Sequence, residues 1–361
     1  MTPAKAARES SNYEAEVIPG IEPFALDELR AKCARQTIRP TRARPGFVRF
    51  AFSGPPTELN ALRSVIAIYR VHTFDIPRPK ALLGHQHFAR LVTALADIMR
   101  LFPRAPQTLG IGAAGSESSV LRRLRRELAQ ALKLEESKDK GELFIRLAPD
   151  SHKTCWEVLA RTTLMPLAKR AYRVDDVPGS LNATVAYALT QVKPLRGRST
   201  VVNLCSGAST ILIEHALQRP QDRLIAIDNS AAVIAAARRN GAASGTGLSI
   251  SQLRADATNT PLPPHMADQL YADLPFGNLV GSHAENKLLY PDILREAARL
   301  ARPAAGFIVL THEIKLMRES LPASPWVLIN ETKINLRGLH PRIFVLERNS
   351  TRIVGDFAAD R

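Results

Sequence analysis

Tyr271-Ala272-Asp273-Leu274-Pro275-Phe276-Gly277 is the stretch on which the reading of this chain turns. An apolar run ending in an acid, a proline and an aromatic marks the carboxyl end of a buried strand that opens into a rigid loop, where open α/β sheets hold their ligands. The residue types suit chemistry on a flat amine. A base amine delocalises its lone pair into its ring, so it attacks an electrophile only when acceptors around its hydrogens return electron density to nitrogen. Asp273 is such an acceptor, as are the backbone carbonyls beside Pro275. Phe276 offers a face on which an extruded base stacks. Four residues of this kind also fit a plain strand end with a turn, so the surrounding pattern decides.

On either side of this stretch, strands read at Thr200–Leu204, Leu224–Asp228, Leu248–Arg254, Gln269–Asp273, Phe307–Leu310, Trp326–Ile329 and Ile343–Leu346. Helices read at Thr210–Leu217, Ala231–Asn240, Tyr290–Ala301 and Lys315–Ser320. The alternation predicts a doubly wound, mainly parallel sheet with helices on both faces. Four groups fall at successive strand ends: Asn203, Cys205 and Gly207, then Asp228 and Asn229, then Asp256 and Ala257, then Asp273. Asp228 also suits a cap for the helix beginning at Ala231, and Asp256 a turn. Neither Cys205 nor His312 has a second catalytic group beside it in the pattern, and both read as structural residues.

The chain has 361 residues, 45% of them hydrophobic, enough for two or three cored domains. Cys33, Cys155 and Cys205 lie far apart with no CxxC pair, which argues against a disulfide framework and against a metal site, and fits a reducing cytoplasm. The first twelve residues are polar, and no run approaches the roughly 20 apolar residues of a membrane span, so a soluble cytoplasmic protein is expected, with no membrane partner. Net charge is +15, with a pI near 10.2, which points to a polyanionic partner. Residues 1 to 177 hold 29 Lys and Arg against 19 Asp and Glu, a net +10 that leaves +5 for the remainder.

The front half reads as two α+β units. In the first, strands at Tyr13–Ile18 and Gly46–Phe52 alternate with helices at Glu22–Ala34 and Thr57–Tyr69, and residues 36 to 49, with Arg39, Arg42, Arg44 and Arg49, read as a solvated basic loop. In the second, helices at His85–Leu101 and Ser118–Leu132 accompany strands near Leu109, at Glu142–Leu147 and at Thr154–Leu159. Leu121, Leu124, Leu128 and Leu132 make the apolar stripe of the Ser118 helix, and Arg122, Arg126 and Lys133 fall on another face, which is either solvated or meets phosphates. Gly110-Ile-Gly112-Ala-Ala-Gly115 spells a dinucleotide fingerprint. Its preceding strand is too short and no acid-tipped strand follows, so it reads as a flexible turn.

The order and spacing of the four strand ends resemble the class I S-adenosylmethionine-dependent methyltransferases. That resemblance implies a Rossmann-like domain in which Gly207 lets the backbone approach the cofactor, Asp228 accepts the ribose hydroxyls and Asp256 meets the adenine amine. Asn203, Cys205, Asn229, Ala257 and Asp273 complete the implied cofactor set, with no metal. The run Asp273-Leu-Pro275-Phe276-Gly-Asn-Leu-Val-Gly281-Ser282, then Asn286, Leu289-Tyr290-Pro291, Leu294 and Glu296, is similar to the THUMP-domain tRNA guanosine-N2 methyltransferases. By that resemblance Asp273, Pro275 and Phe276 form the catalytic loop, residues 11–75 a ferredoxin-like domain and 76–165 a THUMP RNA-binding domain. Residues 166–180 are then a linker and 181–361 the methyltransferase domain, in a monomer. The target would be a guanosine of the tRNA acceptor stem, position 6, with the THUMP module holding the 3′ end. Two positions depart from the family. Asn203-Leu204 stands where Asp-Pro is usual, and Ser209 where a second glycine is usual, which bears on cofactor affinity. The alternatives are an rRNA guanine-N2 methyltransferase, an adenine-N6 methyltransferase, and an RNA-binding protein whose methyltransferase domain has decayed.

Overall fold

The computed structural model describes residues 10–33, 38–150, 152–275, 282–336 and 338–349. It divides into two compact units, one of Met1–Val17 with Glu22–Lys169 and the other of Ile18–Ile21 with Arg170–Arg361.

In the first unit β1 (Ser11–Glu16), α1 (Glu22–Lys32), β2 (Ile38–Arg44), β3 (Phe47–Phe52) and β4 (Ala67–Phe74) lead into α2 (His85–Met99) and β5 (Thr108–Gly112). α3 (Ser119–Leu132), the two-residue β6 (Glu135–Glu136), β7 (Leu143–Pro149) and β8 (Trp156–Arg161) follow. All eight strands belong to one sheet, in the order β2-β3-β1-β4-β8-β7-β5-β6. β4 pairs antiparallel with β8 from Tyr69↔Arg161 to Phe74↔Trp156, so the two front units read from the sequence share a continuous sheet.

Two expectations for the first unit need correction. The basic span 36–49 is not a loop: β2 pairs along β3 as an edge strand, bulged between Pro40 and Arg42, and proline and charge are what an unprotected edge tolerates. Arg49 lies on β3 and is engaged twice, donating to both oxygens of Glu157 (2.6 and 2.5 Å) and to Glu14 (2.8 Å). Nor do residues 57–69 form a helix. Pro55-Pro56 opens a single 3-10 turn over Pro56–Ala61, and the β-branched, aromatic run beyond it becomes β4. In the 110–115 motif Gly110 and Gly112 lie in β5 and serve packing, while Gly115, at φ 69°, sits in the turn that the sequence reading expected. A Cβ on Gly110 would lie 2.4 to 2.6 Å from the backbone of Asp139 and Lys140, so glycine there admits a neighbouring chain.

The second unit runs α4 (Ala183–Gln191), β9 (Thr200–Leu204), α5 (Thr210–Ala216), β10 (Arg223–Asp228), α6 (Ala231–Ala243), β11 (Ile250–Arg254) and β12 (Ala267–Asp273). It continues through α7 (His283–Leu300), β13 (Ala301–Thr311), α8 (Ile314–Ser320), β14 (Trp326–Lys333) and β15 (Arg342–Arg348). The sheet order is β11-β10-β9-β12-β13-β15-β14. Pairing is parallel from β11 to β13 and antiparallel for the last two strands. This is an open, mostly parallel α/β sheet whose strand order reverses between β9 and β12, and ligand crevices open at such a reversal.

β12 runs through the middle with both faces covered. Leu270, Ala272 and Leu274 belong to the core shared with Tyr290, Ile293, Leu294 and Ala297 of α7. On the opposite face the Tyr271 ring meets His215 of α5 edge-on at 6.1 Å between centroids. Period-two alternation with apolar residues on both sides is how a central parallel strand is buried. Helix α7 starts seven residues before the expected Tyr290. Ser282 caps it by accepting from the Glu285 N–H at 3.3 Å, and Pro291 is carried inside it at an exposed position.

Candidate active site

Parallel pairing sets the carboxyl ends of β11, β10, β9 and β12 side by side, and hydrogen bonds tie three of their loops into one ledge. Ser206 N–H donates to the Ile227 carbonyl (2.8 Å), Gly207 N–H to Asp228 Oδ2 (3.0 Å), and Ala255 N–H to the Asp228 carbonyl (3.1 Å). The register Ala272↔Leu204 puts Asp273 one residue past the end of β9, at the lip of the reversal. Asn203, Cys205, Gly207, Asp228, Asn229, Asp256, Ala257, Asp273 and Pro275 are therefore all at this edge. Phe276 lies outside the described residues.

The side chains differ in what they are free to do. Asn203 is buried, and the amide orientation that satisfies its hydrogen bonds has the nitrogen donating to the Tyr271 carbonyl at 3.1 Å, so it ties β9 to β12. Gly207 has φ 53°, and among the described residues a Cβ added there would meet nothing within 4 Å, so its left-handed backbone leaves room on that side. Asp228 takes the Gly207 N–H on one oxygen and the Ser230 N–H (3.0 Å) on the other. The cap of α6 is Ser230, which accepts from the Val233 N–H. Asp228 thus holds the loop shape and keeps further acceptor capacity on both oxygens.

Asn229 is exposed, and its carbonyl accepts from Arg254 Nε at 3.1 Å. Asp256, also exposed, accepts from the Thr258 N–H (2.8 Å) and hydroxyl (2.7 Å), which hold its carboxyl below the ordinary range; it forms the turn foreseen as its alternative role and keeps Oδ2 for another donor. Ala257 is buried beside it. Burial, with the Asp228, Asp273 and Asp256 carboxylates acting in the same sense, pushes the Cys205 thiol up to about 12. It stays protonated at neutral pH, which excludes a nucleophilic role.

Asp273 stands apart. Its Oδ1 is buried with no hydrogen-bond partner among the described residues, and desolvation raises its carboxyl to about 7. An acid whose one oxygen is shielded from water and unpaired among the described residues, at a crevice, is set to take a donor from elsewhere.

Sequence reasoning missed three features. The Ser206 hydroxyl is buried on the ledge and also unpartnered among the described residues. Ser209, singled out in the sequence, has an unforeseen setting: it is buried at φ 58° with its Oγ 3.1 Å from Gln252 Nε2. Asn286 and Tyr290 both donate to the Pro275 carbonyl at 3.1 Å. The signal for this last pair was present: Ser282-x-x-Glu285 is a helix-start pattern, and residues four apart beyond it share one helix face.

Residues 170–342 match the family described as RMKL-like, methyltransferase domain. The likeness continues into the THUMP-containing guanine-N2 RNA methyltransferases. The chain is 29% identical over 191 residues to the tRNA (guanine(6)-N(2))-methyltransferase THUMP3 of Mus musculus, covering 49% of this chain and 38% of that protein. To the tRNA (guanine(6)-N2)-methyltransferase of Thermus thermophilus it is 31% identical over 187 residues, covering 52% of this chain and 55% of the relative. The aligned part thus spans less than two thirds of either relative. The crystal structure of TrmN from Thermus thermophilus superposes with a TM-score of 0.76 at 25% identity, over 93% of this chain and 99% of that one.

Proposed function

We propose that this chain transfers the methyl group of S-adenosylmethionine to the exocyclic N2 of a guanosine in tRNA, in the acceptor stem at position 6. The observation that carries the reading is Asp273, with a desolvated carboxyl oxygen that has no partner among the described residues, beside Leu274-Pro275 at the sheet reversal. The curated relatives bear names for this reaction.

The ledge suits the cofactor. Open space above Gly207 would admit it against the backbone, Asp228 would accept from its ribose hydroxyls, and Asp256 Oδ2 would accept from its adenine amine. When bound, the sulfonium supplies an electrophilic methyl group. The protein's task is then to present the amine. Guanine offers two adjacent donors, N1–H and the N2 amine, and the Asp273 carboxylate accepts from both, while adenine sets an acceptor beside its amine. Donors that replace the missing water favour the ionised carboxylate, so a group near 7 when empty becomes a firm acceptor once the base is in place. Methylation makes the amine strongly acidic, and its proton leaves to Asp273 or to water. Alignment and electrostatics carry the catalysis, with Phe276 as the stacking face.

The first unit is our candidate for RNA binding, with residues 11–75 as a ferredoxin-like domain, 76–165 as a THUMP domain and 166–180 as the linker to the catalytic domain at 181–361. Its cavity of about 500 Å³ is lined by Glu14, Arg44, Phe47, Arg49, Arg146 and Glu157, where carboxylates answer the arginines. Arg122 and Arg126 on α3 are exposed with no ion-pair partner among the described residues, which makes that face the better phosphate surface. We read the protein as a cytoplasmic monomer. Among the described residues no helix is long and apolar enough to cross a membrane, and no group of three or more metal-ligating side chains assembles.

Incubating the protein with methyl-labelled cofactor and two tRNA transcripts, one with guanosine and one with adenosine at position 6, tests substrate and position together. Label entering only the guanosine transcript supports the reading; equal labelling of both, or transfer to an rRNA fragment instead, overturns it.

A further inference from the structure

We propose that Asn286 and Tyr290 are positioning residues of the catalytic loop: they hold the Pro275 carbonyl and so set the direction in which the chain leaves Asp273-Leu274-Pro275 toward Phe276. The inference rests on reading that loop as the amine site. Proline fixes its own φ near −65°, so one torsion, ψ, remains to decide where its carbonyl points and where the next residue begins. A carbonyl oxygen has two lone pairs. Asn286 Nδ2 and Tyr290 Oη donate to this one at 3.1 Å each and so occupy both. The two donors lie four residues apart on α7, on one face, and both side chains are fully buried. Upstream, the Leu274 N–H donates to the Leu310 carbonyl at 3.0 Å, so the loop is held on either side of its proline.

The donors are themselves oriented. Tyr290 spends its single proton on a carbonyl that can only accept, so at 2.6 Å the Thr311 hydroxyl must donate to Tyr290 Oη. Thr311 Oγ1 in turn accepts from the Glu313 N–H at 2.9 Å. The bonds run head to tail from Glu313 through Thr311 and Tyr290 to Pro275, an order in which each strengthens the next. Asn286 Nδ2 also reaches Glu313 Oε1 at 3.4 Å, and His283 Nδ1 lies 3.0 Å from the same carboxylate.

The arrangement carries a stability cost. Asn286 Oδ1 is buried without a partner among the described residues, where an apolar residue of equal volume would leave no orphan. A position chosen for packing alone would not keep an amide there.

The test compares Tyr290→Phe, Asn286→Leu, their double variant and Asp273→Ala in the full chain. An in vitro tRNA transcript with guanosine at position 6 serves as substrate, and S-adenosylhomocysteine affinity and melting temperature are measured alongside. Tyr290→Phe keeps the buried ring and should lower kcat by about three- to ten-fold, the scale of one neutral hydrogen bond, with S-adenosylhomocysteine affinity within about two-fold of the parent. The double variant should lose less than the product of the singles, because both donors act on one oxygen. A purely structural pair would shift melting and leave kcat unchanged. If Tyr290→Phe turns over at the parental rate while Asp273→Ala is slow, the clamp is wrong and the loop reading stands. If Asp273→Ala also turns over at the parental rate, the loop reading fails and the clamp with it. Should Asn286→Leu lose S-adenosylhomocysteine binding through misfolding, Tyr290→Phe alone decides.

Discussion

Replacing Asp273 by asparagine should make the protein more stable and less active, with both effects governed by pH. Burial raises this carboxyl from its ordinary 3.8 to about 7. The folded state therefore holds the proton more tightly than the unfolded chain does. Stability from this group is fully present below pH 4, is lost as pH rises from about 4 to 7, and stays lost above 7, where the folded protein carries a desolvated charge. At roughly 1.36 kcal/mol per pH unit the ceiling is about 4 kcal/mol. Asp273 is partly open to solvent, which brings the expected penalty to about 2 kcal/mol. Asparagine has nearly the same shape and never ionises. Asp273→Asn should then melt about 4 to 8 °C above the parent at pH 8 and within about a degree of it at pH 4.5. Rate moves the other way. The carboxylate is the accepting form, so kcat/KM of the parent should climb with an apparent pKa near 7 and at pH 6 reach about a tenth of its plateau, whereas the variant, slower by about 100-fold, should show no such limb. Scanning calorimetry at the two pH values, with initial rates across the range, decides the matter. An equal melting shift at pH 4.5 and pH 8 would refute the claim that this carboxylate is desolvated.

Three further outcomes test other parts of the molecule. Asp228→Ala should cost about 2 to 3 kcal/mol of S-adenosylhomocysteine binding in titration calorimetry, the scale of hydrogen bonds to a charged acceptor, and unchanged affinity would remove Asp228 from the site. Changing Arg122 and Arg126 together to alanine should weaken tRNA binding and flatten the slope of log K against log salt by about 1.5 to 2, whereas an unaltered slope would move the phosphate surface elsewhere. Ser209→Ala keeps the left-handed backbone but loses the Gln252 contact, while Ser209→Gly loses the contact and relieves the backbone. The glycine variant should be the more stable by about 1 kcal/mol in denaturant melts, and the reverse order would show that φ 58° carries no strain.

The sheet of the second unit was legible because its central parallel strands β9, β10 and β12 are buried on both faces and read as apolar runs, each closed by an acid or leading to a glycine. The first unit was harder. β2 carries proline and arginines because it is an edge, so its composition imitates a loop. The run from Pro55 to Phe74 mixes a 3-10 turn with a strand, and its apolar spacing fits a helix until Ile66. In α7, Pro291 masks the true start at the Ser282 cap, nine residues earlier. The roles of Asn286 and Tyr290 depend on meeting a carbonyl 11 and 15 residues back along the chain, and the isolation of Asp273 Oδ1 among the described residues is a property of packing. Local patterns carry neither kind of information.

The central claim is that the Asp273 loop presents the N2 amine of guanine. Its most direct test is mass spectrometry of the nucleosides from a guanosine-6 tRNA transcript incubated with the protein and trideuteromethyl S-adenosylmethionine. The account predicts deuterated N2-methylguanosine with the parent chain and about 100-fold less in the same interval with Asp273→Ala. Deuterated N6-methyladenosine or 1-methylguanosine in its place, or undiminished N2-methylguanosine from Asp273→Ala, would contradict it.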